Sequence, residues 1–331
     1  MAKDVFLIPQ VLPMEARIAT TLPDGPEWQY EPKWDGFRCL AYIAPGNVSL
    51  YSKTGKDLAR FFPETVAMLA RLFAEPCVLD GELVITRDGR STFEALQARL
   101  HPAASRIERL SRETPARYAL FDCLQSGTER LIDAPLDARR AVLVRLLAGV
   151  DDPGLFLSDA TFDRARAADW LAQSGAATDG VIAKRRSDGY HPGERSMIKV
   201  KRRRTADCVV GGFRYASNAP IVGSLLLGLY DEDGRLDHVG FTSGLSDEER
   251  AVLTPQLEKM IEPPGFTGRA PGGPSRWSTD RSAEWQPLRA ELVVEVEFDQ
   301  VTGQRFRHGT RFLRWRPDKA PGQCTMEQLC G

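Results

Sequence analysis

Apolar positions along the first two-thirds of the chain fall into two alternating rhythms. Phe37-Arg38-Cys39-Leu40-Ala41-Tyr42, Val78-Leu79 with Leu83-Val84-Ile85, Tyr118-Ala119-Leu120-Phe121 and Val181-Ile182-Ala183 are short apolar runs, and they read as strands. Between them, positions 64–73, 137–147 and 163–173 repeat apolar residues every three to four positions, as amphipathic helices do. From about Ala206 the rhythm becomes strand-rich, with strands expected over 208–213, 223–230 and 236–241 and a hairpin turn at Asp231-Glu232-Asp233-Gly234. Ser246 suits the cap of one helix over 247–261. Positions 263–281 are dense in Pro and Gly and read as an exposed loop. Strands resume at 292–298 and 310–315, and five short strands with one inserted helix suit a small barrel.

A chain of 331 residues can bury two cores, and the change of rhythm divides it into domains at 1–201 and 202–331. No apolar run approaches a membrane span, and the opening MAKDVFLIPQVLP is too short and proline-broken for a secretion signal. A cytoplasmic protein without a membrane partner is therefore expected. The six cysteines are scattered without a C-x-x-C pair, which fits reduced, buried thiols rather than disulfides or zinc. Net charge is −1, so bulk composition does not announce a nucleic-acid partner. The distribution says more. Lys199-Val200-Lys201-Arg202-Arg203-Arg204 holds five cations in six residues, and the stretch Arg305, Arg307, Arg311, Arg314, Arg316, Lys319 contains one acid, Asp318. Seen alone, such runs are usually solvated surface.

The strongest local signal is Glu31-Pro32-Lys33-Trp34-Asp35-Gly36-Phe37-Arg38. A bare K-x-D-G arises by chance in roughly one chain in ten of this length, so its weight comes from the residues downstream of it. In order come Asp80-Gly81-Glu82 after a strand, Phe121-Asp122 ending another, Asp179-Gly180-Val181-Ile182-Ala183-Lys184, Lys199-x-Lys201, and Arg314-x-Arg316-x-Asp318-Lys319. Together they resemble the ordered motifs of the covalent nucleotidyltransferases, the superfamily of DNA ligases, RNA ligases and mRNA capping enzymes. The resemblance implies an α+β fold: an adenylation (nucleotidyltransferase) domain, ATP-grasp-like, with mixed and antiparallel sheets, followed by an oligonucleotide-binding (OB) β-barrel.

The chemistry accounts for the residue types. A lysine attacking the α-phosphate of a nucleotide must be neutral, and nearby cations with partial desolvation favour that form. Lys184, Lys199 and Lys201 are candidates for that role and for balancing charge on the phosphoryl oxygens. By resemblance, Lys33 takes AMP, Glu31 contacts the adenine, Phe121 stacks on it, and Glu82 touches the ribose or a metal. Lys199 and Lys201 hold the phosphate, while Asp179 binds Mg²⁺ or Mn²⁺ with Glu82. Arg38 and Lys53 serve the nucleotide or the nick. Arg316 and Lys319 meet the β- and γ-phosphates of ATP. Arg202, Arg203, Arg204, Arg305, Arg307 and Arg311 are the expected contacts to the DNA backbone. Three positions depart from the common pattern: Lys53 stands where the family usually has arginine, Asp179 where it has glutamate, and Met197 where many members have tryptophan.

The flanks Pro13-Met14, Arg60-Phe61-Phe62-Pro63-Glu64 and Phe93-Glu94-Ala95-Leu96-Gln97 look like bacterial ATP-dependent DNA ligases. Arg204-Thr205-Ala206-Asp207-Cys208-Val209-Val210 and Gly223-Ser224-Leu225-Leu226-Leu227-Gly228 look like the compact ligase C type of DNA repair. The implied substrates are ATP and nicked duplex DNA, used by a monomer that works beside a repair polymerase or end-binding protein. The NAD-dependent class has a four-cysteine zinc module that these cysteines do not fit. Two readings stay open at this point: a GTP-using capping enzyme, and a non-catalytic nucleic-acid-binding protein with a decayed nucleotide site.

Overall fold

Period-two alternation decides which side chains meet, because a strand sends successive residues to opposite faces. A computed structural model of the protein describes residues 7–87, 90–91, 93–175, 178–217, 219–272 and 284–329. It divides into two compact units, Met1–Arg202 and Arg203–Gly331.

The first unit is built on two main sheets. One uses β1 (Ala16–Ala19), β2 (Trp28–Trp34), β8 (Thr178–Arg185) and β9 (Met197–Val200), in the order β1-β9-β8-β2. The other uses β3 (Phe37–Ala44), β4 (Asn47–Ser52), β5 (Cys77–Val84), β6 (Arg117–Ser126) and β7 (Leu155–Leu157), in the order β7-β6-β5-β3-β4. The pairs β1·β9 and β7·β6 are parallel and the remaining neighbours antiparallel.

In β3, Cys39, Ala41 and Ile43 join a large core with Met68 and Leu69 of α1 (Pro63–Leu72), Leu96 of α2 (Phe93–Arg99) and Leu143 of α4 (Leu136–Leu146). Leu40 and Tyr42 point the other way, into a cluster with Val78, Leu124, Tyr190 and Met197. In the first sheet, Trp28, Tyr30, Val181, Ala183, Ile198 and Val200 pack with Ala167 of α5 (Arg164–Ala172). That leaves Gln29, Glu31 and Lys33 on the opposite face of β2, Lys184 on that of β8 and Lys199 on that of β9.

Sequence and structure differ in instructive places. β2 went unread because Glu31, Pro32 and Lys33 dilute its apolar content. It is an edge strand, where proline is tolerated. Asp80-Gly81-Glu82 and Phe121-Asp122 do not follow or end strands but lie within β5 and β6, whose pairing shifts register between Asp80 and Gly81. Such a bulge re-aims the side chains beside it. Helix α3 (Ala104–Glu113), also unread, has only three apolar residues, Ala104, Ile107 and Leu110, and buries only Ile107.

The second unit is a barrel of β10 (Arg204–Ala216), β11 (Ala219–Tyr230), β12 (Leu236–Thr242), β13 (Val293–Phe298) and β14 (Arg311–Trp315), in the order β12-β11-β10-β13-β14. Its ends meet where Thr242 bridges Thr310 in parallel, with Thr310 N donating to Phe241 O at 3.0 Å and Thr242 Oγ1 to Thr310 O at 3.0 Å. Helix α6 (Asp247–Glu258) lies between β12 and β13 in the chain. It opens with a capping box on Ser246 and ends three residues earlier than the expected 261. This is the OB arrangement. Residues 263–272 of the expected loop contain no helix or strand, and 273–281 lie outside the described residues. Five cysteines are buried free thiols, while Cys330 lies outside the described residues. Among the described residues no helix is long and apolar enough to cross a membrane.

Candidate active site

The K-x-D-G segment is a crossing between the two sheets of the first unit: Lys33 lies near the end of β2, Asp35-Gly36 makes the turn, and β3 begins at Phe37. Alternation then gathers Glu31, Lys33, Arg38, Lys53, Glu82, Phe121, Lys184 and Lys199 around one cavity of roughly 180 Å³, together with Met14, Ile182 and Met197.

Two glycines make the close approach possible. A Cβ on Gly81 would lie 2.5 Å from Ala119 O, and one on Gly180 2.2 Å from Val200 O; Gly180 also has φ +133°. Side chains at either position would push apart the strands that carry Glu82 and Asp179.

Asp179 sits between two ammonium groups, with Oδ2 at 2.7 Å from Lys33 Nζ and 3.0 Å from Lys201 Nζ. The sequence suggested a nucleophile surrounded by cations. Here Lys33 has a carboxylate partner, Asp179. Lys199 is held below its usual range, by burial first and then by Lys33, Lys201, Lys53 and Arg195. Glu82 is pushed up to about 7, chiefly by burial, with Arg38 and Lys33 pulling the other way.

The far end of the cavity is a buried polar network. Glu31 accepts from Gln29 Nε2 at 2.7 Å, while Lys184 Nζ lies 2.7 Å from the other carboxylate oxygen without a well-directed hydrogen bond. Lys184 Nζ and the Arg38 guanidinium lie 4.6 and 4.5 Å from the Phe121 ring centroid, in cation–π range. Arg38 is held by Asp80 through two bonds of 2.6 Å. Lys53 pairs with Glu15 at 3.0 Å.

Glu82 and Asp179 suit a hard divalent cation. Among the described residues no group of three His, Cys, Asp or Glu side chains converges, so phosphate oxygens and water would complete the shell, as Mg²⁺ prefers.

The remaining candidates lie apart from the cavity lining. Arg202 donates to Ser174 O. In the second unit Arg203 and Arg311 share Glu297, Arg307 donates to Gln300, Arg305 meets His238 Nδ1 at 2.9 Å and Arg204 lies over Phe298. Arg316 and Lys319 converge on Asp207 at 2.7 and 3.4 Å, and Arg316 also grips Asp318. In the second basic run, expected to contact phosphates, Arg311, Arg314, Arg316 and Lys319 each have an acid of their own barrel as partner. Sequence reasoning passed over Gln29 and gave Asp80 and Asp207, though quoted within motifs, no role of their own. The alternation Trp28-Gln29-Tyr30-Glu31 was the available signal for the first.

Comparison with known proteins places the chain in a family. Residues 13–201 match the family model described as ATP dependent DNA ligase domain, and residues 218–319 match that described as ATP dependent DNA ligase C terminal region. The chain is 43% identical to DNA ligase C1 of Mycolicibacterium smegmatis, covering 98% of this chain and 95% of that one. It is 40% identical to DNA ligase C of Mycobacterium tuberculosis, covering 98% and 94%. Among solved structures, the ligase domain of M. tuberculosis LigD aligns with TM-score 0.51 and 28% identity over 97% of this chain and 99% of that one.

Proposed function

The chain belongs to the ATP-dependent DNA ligases, and from that premise we propose that Lys33 is the residue that carries AMP between ATP and the nick. The observation that supports this reading is the convergence of Lys33, Asp179 and Lys201 beside Glu82 and Lys199, where β2 of one sheet runs on into β3 of the other.

In the first step Lys33 Nζ, once deprotonated, attacks the α-phosphorus of ATP. The bond to the β-phosphate oxygen breaks and pyrophosphate leaves. In the second step a 5′-phosphate oxygen at the nick displaces the lysine from AMP. In the third the 3′-hydroxyl displaces AMP, closing the backbone. Lys199 and Lys201 balance charge on the α-phosphoryl oxygens as five-coordination develops. Phe121 offers a face to the adenine, with Glu31, Gln29 and Lys184 as the polar end of that pocket. Glu82 and Asp179 would hold a divalent cation, which would supply charge neutralisation at phosphate. Arg316 and Lys319 serve the β- and γ-phosphates, and the remaining arginines the DNA backbone. The setting is DNA repair in the cytoplasm.

The test is nick sealing by wild-type and Lys33→Ala protein, with ATP or GTP. Sealing by wild type with ATP alone, and none by Lys33→Ala, is expected. Equal use of GTP would favour the capping chemistry, and sealing by Lys33→Ala would remove the assignment.

A further inference from the structure

Tyr190 lies on the segment joining β8 to β9, between the strands that carry Lys184 and Lys199, and belongs to none of the motifs. Its side chain is 3% exposed, so its hydroxyl needs partners inside the protein. It donates to Asp80 Oδ2 at 2.6 Å and accepts from Met14 N at 2.9 Å. Asp80 is fully buried, and its two oxygens take the Arg38 fork through Nε and Nη2 at 2.6 Å each. The Arg38 guanidinium lies 4.5 Å from the Phe121 centroid and reaches Met14 O at 3.4 Å. The Tyr190 backbone is itself pinned, since Tyr190 N donates to Ile132 O at 2.8 Å and Arg139 Nη1 to Asp188 O at 3.0 Å.

An arginine clamped by one carboxylate keeps a rotational freedom about that carboxylate's own side-chain bond. A third group on the same oxygen removes it, and buried, fully satisfied networks are rigid for this reason. Met14 and Arg38 both line the nucleotide cavity. We propose that Tyr190 is a positioning residue for ligation: by fixing Asp80 it holds the Arg38 guanidinium against Phe121, and by binding Met14 N it ties a neighbouring part of the cavity wall to the same carboxylate. The proposal rests on the reading of Arg38 and Phe121 as contacts to the nucleotide or nick. Tyr190 itself touches neither.

The experiment is a double-mutant cycle of Tyr190→Phe and Arg38→Ala, read as single-turnover rates of self-adenylylation and of sealing a pre-adenylylated nick. Melting temperatures are measured alongside. Phenylalanine keeps the ring in its apolar cluster and removes only the hydroxyl. On whichever step Arg38→Ala slows, Tyr190→Phe should cost about tenfold, the size expected for losing one buried hydrogen bond to a charged group. The double variant should be no slower than Arg38→Ala within about twofold, because Tyr190 acts through Arg38. A double variant slower by the product of the two effects would overturn the proposal, since a purely structural hydroxyl acts regardless of Arg38. Should Tyr190→Phe melt below the assay temperature, Asp80→Asn takes its place in the same cycle, with the same expectation. If Arg38→Ala alone slowed neither step, the reading of Arg38 would fail first and take the proposal with it.

Discussion

The two basic stretches look alike in the chain and behave differently in the fold. In the first unit, Lys33, Lys184, Lys199 and Arg38 come from four strands and line a small cavity, and Lys201 shares Asp179 with Lys33. The carboxylates there are outnumbered, and Lys199 is held below its usual range. In the second, β13 pairs with β14 in a register that sets Glu295 opposite Arg314 and Glu297 opposite Arg311. Asp207 of β10 stands beside Glu295 and collects Arg316 and Lys319. The strand Val-Val-Glu-Val-Glu-Phe sends its valines to the barrel core and its glutamates to the arginines. Such cross-strand pairs contribute roughly 0.2–1 kcal/mol each and are screened by salt. The lesson is that a cationic run has no fixed meaning until the facing strand is known. The first stretch brings Lys199 to the wall of the cavity and Lys201 to the carboxylate that Lys33 also uses. The other is held by partners that a phosphate must displace.

The contrast can be broken from either side. The largest effect is expected from Asp179→Ala, which removes the anion shared by Lys33 and Lys201 and one of two candidate metal ligands. Self-adenylylation should fall by about a thousandfold or more, measured as radiolabelled AMP incorporation across a divalent-cation titration. Wild-type rates in that variant, or in wild type with the cation fully chelated, would contradict the site.

Next come Arg316→Ala and Lys319→Ala. If these cations serve the leaving pyrophosphate, self-adenylylation should fall about ten- to a hundredfold while sealing of a pre-adenylylated nick changes little. The reverse pattern would make them DNA contacts only.

A pH experiment sharpens the first half of the comparison. Glu82 is pushed up to about 7, above its unfolded value near 4.3. The stability this gives is complete below the unfolded value and lost as pH rises through about 7. Glu82→Gln cannot ionise. Its melting temperature relative to wild type, in metal-free buffer, should therefore climb between about pH 5 and pH 8. A constant difference would show that folding does not raise the Glu82 carboxyl above its unfolded value.

The smallest effect is expected from Glu297→Gln, which releases Arg203 and Arg311. Affinity for nicked duplex should rise a few-fold at low salt and converge with wild type at high salt. No change at any salt would mean that these arginines do not face DNA.

Much of this was legible in the chain. The strands around Leu40, Leu79, Leu120 and Ile182 carry apolar residues in short runs, and the helices at α1, α4 and α5 show their period. The motif order pointed to a cavity that the sheets do assemble. What stayed hidden depends on register. Lys33 was visible as a motif lysine, but its partner Asp179 is 146 residues away and meets it only because β8 pairs with β2. Asp207 sits in an apolar run, where an acid signals a buried partner without saying which. Tyr190 reads as an ordinary core aromatic until its hydroxyl is seen on Asp80.

The central claim is that Lys33, and not a neighbouring lysine, takes the nucleotide. Several lysines gather at or beside this cavity, so the location of the adduct decides it. Wild-type protein incubated with ATP and Mg²⁺ should be digested and its peptides sequenced by mass spectrometry under conditions that keep the phosphoramidate intact. AMP on the peptide containing Glu31-Pro32-Lys33-Trp34, and on no other, is the expected result. AMP on Lys53, Lys184, Lys199 or Lys201 would contradict it.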